Sequence, residues 1–331
     1  MKGLKTQVVI VTPALADANN GNWQTARRWA AHLAAVARVR LVKAWPDADA
    51  AGDQVMIALH ARRSAASVAA WHAQRGSAGL CVTLTGTDLY RDLAADADAQ
   101  RSLELARILV TLQECATQQL PTALRAKSRV IFQSTTARRT VAKPTRFLRA
   151  LMVGHLREEK SPQTLFAVAR LLRDEPGIRI DHIGVALDPA LGEAAQATMA
   201  VAPNYHWLGG LPYAETRRRI QHAHVLVHCS RMEGGAHVIM EAAACGTPVL
   251  ASRVDGNVGM LGADYGGYFP WNDAEALATL LTASRRWRDG DPLLATLTQQ
   301  CAARAPLFLP AHERAALRQL VQDLKEQELR M

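Results

Sequence analysis

The sequence has no long apolar run. Nowhere in its 331 residues do about eighteen apolar residues follow one another, so no membrane-spanning helix is predicted. The first residues, MKGLKTQVVIVTPALADA, resemble a secretion signal, but Pro13 interrupts their apolar part, and we interpret them as a first strand followed by a loop. The five cysteines are scattered, without C-x-x-C spacing. That pattern disfavours a disulfide framework and favours reduced thiols, as in a cytoplasmic protein.

Aromatic residues and concentrated positive charge are also scarce. Aromatic side chains make up 5% of the residues. The formal net charge of +9 suits an anionic partner, but the basic residues occur as scattered pairs and one triplet, at residues 217–219. Because there is neither a basic stripe nor a nucleic-acid-reading motif, nucleic acid is a poor candidate. A phosphorylated small molecule is the better anionic partner.

What the sequence does contain is a regular alternation of short apolar runs, rich in β-branched residues, with amphipathic alanine-rich stretches. This alternation predicts an α/β fold with parallel sheets covered by helices. The predicted strands are residues 8–11, 39–42, 55–59, 80–84, 108–112 and 130–132, then 149–154, 178–185, 224–229 and 247–252.

The alternation stops at a basic, proline-containing segment, residues 140–147, and then starts again. We therefore predict two Rossmann-like, doubly wound domains, residues 1–143 and 144–308. A C-terminal amphipathic helix, residues 309–331, is suited to pack back on the first domain. Ligands of doubly wound sheets bind at the carboxyl ends of the strands, so the two domains are expected to face each other across a ligand-binding cleft.

Two glutamates with seven residues between them flank a glycine pair in the stretch EGGAHVIMEAAACG. The stretch predicts a helix that starts near Gly235 and ends at Gly246, with Glu233 before it and Glu241 about a turn and a half inside. Free N–H groups at such a start can seat a phosphate. Eight helical residues span about 12 Å, comparable to the distance between the hexose and ribose hydroxyls of a nucleotide sugar. The alternative is that neither glutamate binds a ligand: Glu233 is then a charged loop residue and Glu241 a solvated residue of the helix.

The same stretch resembles the E-x7-E motif of GT-B glycosyltransferases of the family-4 type. The segment that precedes this motif in the family is similar to YHWLGGLPYAETRRRIQHAHVLVHCS, and the start of the family's second domain is similar to ALMVGHLREEKSPQTLFAVARLL. The resemblance implies a GT-B fold whose second domain binds a UDP-sugar, with Glu233, Lys160 and Arg157 in catalytic roles. The implied donor-site residues are Gly154, His155, Arg157, Lys160, Gly209, Leu211, Glu233, Gly234, Gly235, Ala236, His237, Val238 and Glu241.

The resemblance is incomplete at the residues that bind the donor diphosphate in the family. The family has a glycine, an arginine directly after it and a lysine five residues further on. Gly154 and Lys160 match, but His155 occupies the arginine position, and Arg157 is the predicted substitute.

Two segments of the first domain resemble the acceptor side of the same family. VTLTGTDLY resembles the segment T-L-H-G-x-D, with Gly86 and Asp88 matching and Thr85 in place of the histidine. NNGNWQT resembles the glycine-containing loop after the first strand, which implies that Asn20, Gly21 and Asn22 face the acceptor. A plain turn is the alternative for that loop, because asparagine and glycine are good turn formers.

The strings VGHLREEKSP, CSRMEGGAHV and NNGNWQT resemble, more specifically, the selenosugar synthases of selenoneine biosynthesis. This resemblance implies selenophosphate and UDP-N-acetylglucosamine as substrates, and 1-seleno-N-acetylglucosamine, UDP and phosphate as products. A small anionic acceptor needs cationic donors, which Arg62 or Arg63 after the third strand could supply, unless they are simply solvated. Selenium is a strong nucleophile, so a general base is less necessary than for a sugar hydroxyl.

Three other functions remain open from the sequence. A conventional glycosyltransferase with an organic acceptor, a nucleotide-sugar epimerase and a non-catalytic nucleotide-sugar-binding protein would share the donor motif. A metal site is not expected, because the spacing in QHAHVLVHC (His222, His224, His228 and Cys229) matches no closed zinc pattern. No cofactor is expected either. The preferred sugar, the anomeric outcome and the oligomeric state are left undetermined.

Overall fold

The computed structural model describes residues 5–15 and 21–326. The chain divides into two compact units. The first consists of the residues up to Ser134 together with those from Pro310 onward, and the second is Thr135–Leu309. The first unit ends at Ser134 rather than at residue 143 because the following segment bonds within the second unit. The N–H of Thr135 donates to the Phe308 carbonyl at 3.0 Å.

Each unit contains a six-stranded parallel sheet. The strands are β1 (Thr6–Val11), β2 (Ala37–Val42), β3 (Val55–Leu59), β4 (Leu80–Thr83), β5 (Ile108–Thr111), β6 (Ser128–Val130), β7 (Leu148–Val153), β8 (Ile178–Ile183), β9 (Tyr205–Trp207), β10 (Val225–His228), β11 (Val249–Ser252) and β12 (Tyr268–Phe269). The order is β2-β1-β3-β4-β5-β6 in the first sheet and β12-β11-β10-β7-β8-β9 in the second.

Helices connect the strands. They are α1 (Gly21–Leu33), α2 (Ala65–Arg75), α3 (Ala97–Leu105), α4 (Thr122–Arg125), α5 (Pro162–Leu171), α6 (Pro189–Val201), α7 (Tyr213–His222), α8 (His237–Ala243), α9 (Asp255–Leu261), α10 (Ala274–Arg285), α11 (Leu293–Arg304) and α12 (Pro310–Glu326). The predicted α/β fold with two Rossmann-like domains is confirmed.

The strand orders determine where each unit can bind a ligand. In the second sheet the chain runs outward from β7 through β8 and β9, then returns to β10 on the other side of β7. A crevice opens at such a reversal, outside the carboxyl ends of the two central strands. The loops after β7 and β10 therefore start side by side. In the first sheet the corresponding position lies between β1 and β3.

The C-terminal helix α12 is part of the first unit, as its amphipathic pattern predicts. Leu317, Leu320 and Leu324 are fully buried and join the core formed with Trp29 and Leu33 of α1. Their spacing of three, four and seven residues places them on one face of the helix. No helix within the described part of the chain is long and apolar enough to cross a membrane.

Every predicted strand has a counterpart, but β9 and β12 were not predicted. These strands, YHW and YF, are short and contain no β-branched residue, so neither forms a recognisable apolar run. Gly21 and Asn22 do not form a plain turn, because they begin helix α1. Asn20 lies outside the described residues.

Helix α8 is shorter than the sequence predicts. It begins at His237 rather than near Gly235, because Ala236 is still in an extended conformation. It ends at Ala243, and Gly246 follows with a φ of 71°, which suits glycine after a helix. Glu241 therefore lies about one turn inside the helix, not a turn and a half.

Candidate functional site

The loops after β7 and β10 bring a lysine and a glutamate together. Lys160 ends a 3₁₀ turn, Glu158–Lys160, after β7, and Glu233 follows β10. Lys160 Nζ lies 2.5 Å from Glu233 Oε1, although the two residues are 73 positions apart in the sequence. Their meeting follows from the strand order, because β7 and β10 are hydrogen-bonded neighbours.

A buried histidine also contacts Glu233. His228, the last residue of β10, is 1% exposed, and its Nε2 lies 3.1 Å from the same atom, Glu233 Oε1. Burial alone would raise the pKa of the Glu233 carboxyl, but the charge of Lys160 and the hydrogen bond from His228 outweigh it and hold that pKa well below its usual value. Glu233 is therefore ionised, and within the described chain its second oxygen, Oε2, has no hydrogen-bond partner.

The protonation of His228 follows from its surroundings. Burial lowers the pKa of the imidazole, although the neighbouring Glu233 opposes that effect. A neutral ring next to a carboxylate places its proton on Nε2, which donates to Oε1. Nδ1 then carries no proton, and it is buried without a hydrogen-bond partner in the part of the chain that the structure describes. His228 thus adds a hydrogen-bond donor to the site without adding a charge.

Close backbone packing fixes the loop that carries Glu233. A Cβ added to Gly256, in α9, would lie 2.2 Å from the Glu233 carbonyl oxygen, so only glycine fits there. The hydroxyl of Ser252, at the end of β11, donates to the Ser230 carbonyl at 2.6 Å. The sequence analysis identified neither contact, because both depend on residues about twenty positions away.

The loop after β7 is supported from β8. His182 Nε2 lies 3.2 Å from the Gly154 carbonyl oxygen, and burial lowers the pKa of His182 to about 4. A Cβ on Gly184 would lie 1.9 Å from the same oxygen, so this contact also requires glycine. A Cβ on Gly154 itself would make an ordinary 3.5 Å contact with the Lys160 side chain. Gly154 thus lies against the lysine whose partner is Glu233.

His155, at the family's arginine position, and Arg157, two residues later, differ in their contacts. His155 Nδ1 accepts a hydrogen bond from the Val185 N–H at 3.2 Å, so its Nε2 carries the proton in the neutral ring. Burial and then the charges of Arg157 and Lys160 lower the pKa of His155, which favours that neutral form. Arg157 is about half exposed, and Glu159 Oε2 lies 3.8 Å from its Nε. Of these two residues, Arg157 therefore supplies the positive charge in the loop of Lys160, on a half-exposed side chain.

Glu241 has a partner of its own. It is 3% exposed, and its Oε1 lies 3.7 Å from Arg217 Nη1 and 3.9 Å from His237 Nδ1. Arg217, in α7, is buried and also donates to the Thr135 hydroxyl and to the Thr136 carbonyl. Glu241 therefore balances a buried guanidinium, at distances that leave its oxygens able to accept further hydrogen bonds. The sequence analysis counted Arg217 only as part of a scattered basic triplet.

The other predicted donor-site residues lie in the loop after β9 and between Glu233 and helix α8. The Gly209 carbonyl, after β9, accepts a hydrogen bond from Gly184 at 2.8 Å, and Leu211 follows in the same loop. The residues between Glu233 and α8, together with the start of that helix, are partly or fully buried: Gly234, Gly235, Ala236, His237 and Val238.

In the first unit, Asp88 is enclosed rather than available. It is fully buried, and its Oδ1 accepts from the N–H groups of Thr85 at 2.8 Å and Gly86 at 2.9 Å. Its Oδ2 accepts from the N–H of Ala61 at 3.0 Å. Asp88 thus joins the loops after β3 and β4. These bonds to the backbone give Asp88 a role in loop structure, and its position on the acceptor side stays a prediction.

The predicted acceptor-side arginines are exposed on the loop after β3. Arg62 Nε lies 3.5 Å from Asp92 Oδ2, which balances part of its charge. The backbone N–H of Arg63 donates to His60 Nδ1 at 3.4 Å, and the Arg63 side chain is exposed on the surface. His60 is buried with a φ of 73°, a backbone conformation that is uncommon outside glycine and often found at functional sites.

The structure gives the histidines around β10 separate roles. His224 Nδ1 accepts from the Arg149 N–H at 2.9 Å, and its Nε2 lies 2.8 Å from the Pro144 carbonyl oxygen. His224 therefore supports the sheet, whereas His228 contacts Glu233. No group of three or more His, Cys, Asp or Glu within residues 5–15 and 21–326 is arranged to hold a metal ion.

Comparison with known proteins gives this geometry a family context. Residues 133–284 match the family described as "Glycosyl transferases group 1". The D-inositol 3-phosphate glycosyltransferase of Segniliparus rotundus is 34% identical over 109 residues, 31% of this chain and 24% of that protein. The enzyme of the same name from Thermobifida fusca is 32% identical over 155 residues, 42% of this chain and 35% of that protein. The chain thus matches only about a quarter to a third of these relatives' lengths.

Solved structures resemble almost the whole chain. The sucrose-phosphate synthase of Thermosynechococcus elongatus superposes with a TM-score of 0.75 at 17% identity, over 97% of this chain and 99% of that one. Anabaena HepE, solved in complex with UDP, has a TM-score of 0.72 at 12% identity, over 97% and 100%. Similarity at such low identity establishes the fold, which is GT-B. Within that fold, the match to the group 1 glycosyltransferase family falls almost entirely in the second unit.

Proposed function

We propose that this protein is a glycosyltransferase whose second unit binds a UDP-sugar, and specifically that it forms a selenosugar from UDP-N-acetylglucosamine and selenophosphate. One observation carries the donor part of the proposal. Glu233 is an ionised carboxylate with one engaged oxygen and one unused oxygen, and a lysine lies 2.5 Å away. A carboxylate with unused acceptor capacity can bind sugar hydroxyls, and the lysine can bind the neighbouring diphosphate.

Each donor-site residue has a role that its chemistry permits. Lys160 and Arg157 neutralise the diphosphate, whose charge increases as UDP leaves, so they act on the transition state as well as on binding. Glu233 orients the sugar through Oε2. Glu241 accepts from the ribose diol while it continues to balance Arg217. Anabaena HepE, solved with UDP, supports a uridine nucleotide as the ligand of this fold.

The acceptor part of the proposal rests on the resemblance to selenosugar synthases and on the exposed cations Arg62 and Arg63. In the proposed reaction the selenium of selenophosphate attacks C1 of the sugar, the C1–O bond breaks, and UDP leaves with the electron pair. Water then cleaves the Se–P bond and releases phosphate and the selenosugar. Thr85 replaces the family's histidine, which is compatible with a nucleophile that needs no general base.

A second candidate is a conventional glycosyltransferase with an organic acceptor. The names of the curated relatives favour it, since both are D-inositol 3-phosphate glycosyltransferases. Their named acceptor and selenophosphate both carry a phosphate group, so exposed arginines in the first unit suit either one.

Product analysis separates these functions. The protein is incubated with UDP-N-acetylglucosamine or UDP-glucose, each with selenophosphate, with D-inositol 3-phosphate or with no acceptor, and the products are identified by mass spectrometry. The Lys160→Ala variant controls for uncatalysed transfer. We expect a selenium-containing sugar and UDP only when selenophosphate is present.

The other outcomes each contradict a stated part of the proposal. Transfer to inositol phosphate without any selenosugar supports the conventional enzyme. Sugar released or rearranged without an acceptor indicates an epimerase or hydrolase. Tight binding without turnover under any condition indicates a nucleotide-sugar-binding protein.

A further inference from the structure

We infer that His228 is a positioning residue for the sugar-binding carboxylate: it holds Glu233 in place when Lys160 moves from Glu233 to the diphosphate of the donor. The inference rests on the proposed function, because it requires a donor that carries both a sugar and a diphosphate. It assigns a function to a histidine that the sequence analysis considered only as a metal ligand.

The two partners of Glu233 differ in mobility. Lys160 has a flexible four-carbon stem on a short 3₁₀ turn, and its side chain is 17% exposed. His228 belongs to strand β10, between β7 and β11, and is fully enclosed. An incoming diphosphate can therefore attract Lys160, whereas His228 cannot follow. Once Lys160 has turned to the diphosphate, the bond from His228 is what keeps Oε1 in place.

Because His228 is neutral, it can hold Glu233 in place without an ion pair. Its Nδ1 is buried and has no hydrogen-bond partner among the described residues, so a second proton on the ring would be unsatisfied. The ring therefore donates from Nε2 without competing with Lys160 for the negative charge. The 3.1 Å bond to Oε1 leaves Oε2 for the sugar. Without this bond, Glu233 would be free to follow Lys160 toward the diphosphate, and the sugar contact would be lost.

The inference predicts a specific pattern in ligand binding. Loss of the His228 donor should weaken the binding of UDP-N-acetylglucosamine, which has a sugar to be held, and should leave the binding of UDP unchanged. A hydrogen bond to a charged group corresponds to about tenfold to a hundredfold in affinity. A purely structural role would weaken both ligands together.

The experiment compares His228→Leu, His228→Gln and the control His224→Leu. His224 precedes the same strand, is also buried and has both ring nitrogens hydrogen-bonded, so its replacement tests the structural cost of losing a buried histidine away from Glu233. Isothermal titration calorimetry gives Kd for UDP and for UDP-N-acetylglucosamine, and thermal unfolding gives Tm. We expect the ratio of the two Kd values to change by about tenfold or more in His228→Leu.

The conservative variant tests the donor itself. Glutamine can donate from its amide to Oε1, so His228→Gln should recover most of the Kd ratio and of kcat, while His224→Leu should lower Tm and leave the ratio unchanged. An unchanged ratio in His228→Leu, an equal change in His224→Leu, or no recovery in a folded His228→Gln protein would each overturn the inference. If the wild-type protein does not bind UDP-N-acetylglucosamine, the proposed function itself fails, and this inference fails with it.

Discussion

Two glutamates, the buried Glu313 in the first unit and the partly buried Glu233 in the second, have pKa values shifted in the same direction but differ in their hydrogen bonds. In both, burial would raise the pKa of the carboxyl, and nearby donors and cations lower it instead, to about 2 for Glu313. Both oxygens of Glu313 are engaged within the protein. Its partners are Arg28, Trp29, His32 and Ser134.

Glu233, in contrast, has both of its described partners on one oxygen, and no described residue hydrogen-bonds to the other. A strongly shifted pKa therefore does not by itself identify a ligand-binding carboxylate, because structural networks shift pKa values as well. The informative property is acceptor capacity that the folded chain leaves unused. Glu313 joins α12 to α1 and has no such capacity, whereas Glu233 keeps one oxygen for a ligand.

The largest effect that this comparison predicts is on stability. Glu313→Ala should lower the free energy of unfolding of the first unit by about 3–5 kcal/mol, because it leaves a buried ion pair without one partner. Urea unfolding followed by circular dichroism measures the change. Glu326→Ala, at the exposed end of the same helix, is the control and should change little. Equal effects of the two variants would contradict a structural role for Glu313.

Acid should destabilise the first unit through the same residue. The pKa of Glu313 falls from 4.5 to about 2 on folding, so its contribution to stability is fully present above about pH 4.5 and is lost as the pH falls toward 2. Over that range the loss should be roughly 3 kcal/mol. Urea unfolding of the wild type and of Glu313→Gln at several acidic pH values tests this. A wild-type and a variant curve that run parallel would show that Glu313 does not titrate in this way.

In the second unit the expected effect is on turnover. Glu233→Ala should lower kcat/KM for the UDP-sugar by about tenfold to a hundredfold, the value of a hydrogen bond to a charged acceptor, and should spare the affinity for UDP. Steady-state kinetics and calorimetry measure the two quantities. Glu158→Ala, an exposed glutamate in the loop of Lys160, is the control. Loss of UDP affinity in Glu233→Ala would mean that the donor lies in the opposite direction along helix α8, with its nucleotide rather than its sugar at Glu233.

Glu241 is intermediate, since it has a protein partner and spare acceptor capacity. Glu241→Ala should weaken UDP binding by roughly 1–3 kcal/mol and should also lower Tm, because Arg217 remains buried beside it. Calorimetry with UDP alone and thermal unfolding separate the two effects. The control is Glu215→Ala in α7, whose partners Arg218 and Arg219 form surface ion pairs. A lower Tm with unchanged UDP affinity would leave Glu241 a purely structural role.

The smallest effect is expected at the acceptor-side arginines. Arg63→Ala should raise the KM for selenophosphate by about two- to fivefold, as expected for an exposed ion contact, and should leave UDP affinity unchanged. Arg62→Ala should do less, because Asp92 already lies near that side chain. Arg101→Ala on α3 is the control. If selenophosphate saturation is the same in all three variants, the proposed acceptor contact is wrong.

Much of this architecture can be predicted from the sequence. Strands of four or more residues produce apolar runs that are visible by themselves, and the helical pattern of α12 predicts its packing face. β9 and β12 are too short to produce such a pattern. The roles of His228, Arg217 and Gly256 were not predicted. The residues next to a histidine at a strand end, or to an arginine in a basic triplet, do not indicate which side chain it will contact.

By itself, the sequence determined that Lys160 and Glu233 each follow a strand, because apolar periodicity is a local property of the chain. Only the tertiary structure decided that those strands, β7 and β10, are neighbours, which brings side chains 73 residues apart to within 2.5 Å. It also decided that Glu241 faces a buried arginine and that Glu233 keeps one oxygen unused. Hydrogen-bond partners depend on which distant segments pack together, and no pattern along the chain encodes that pairing directly.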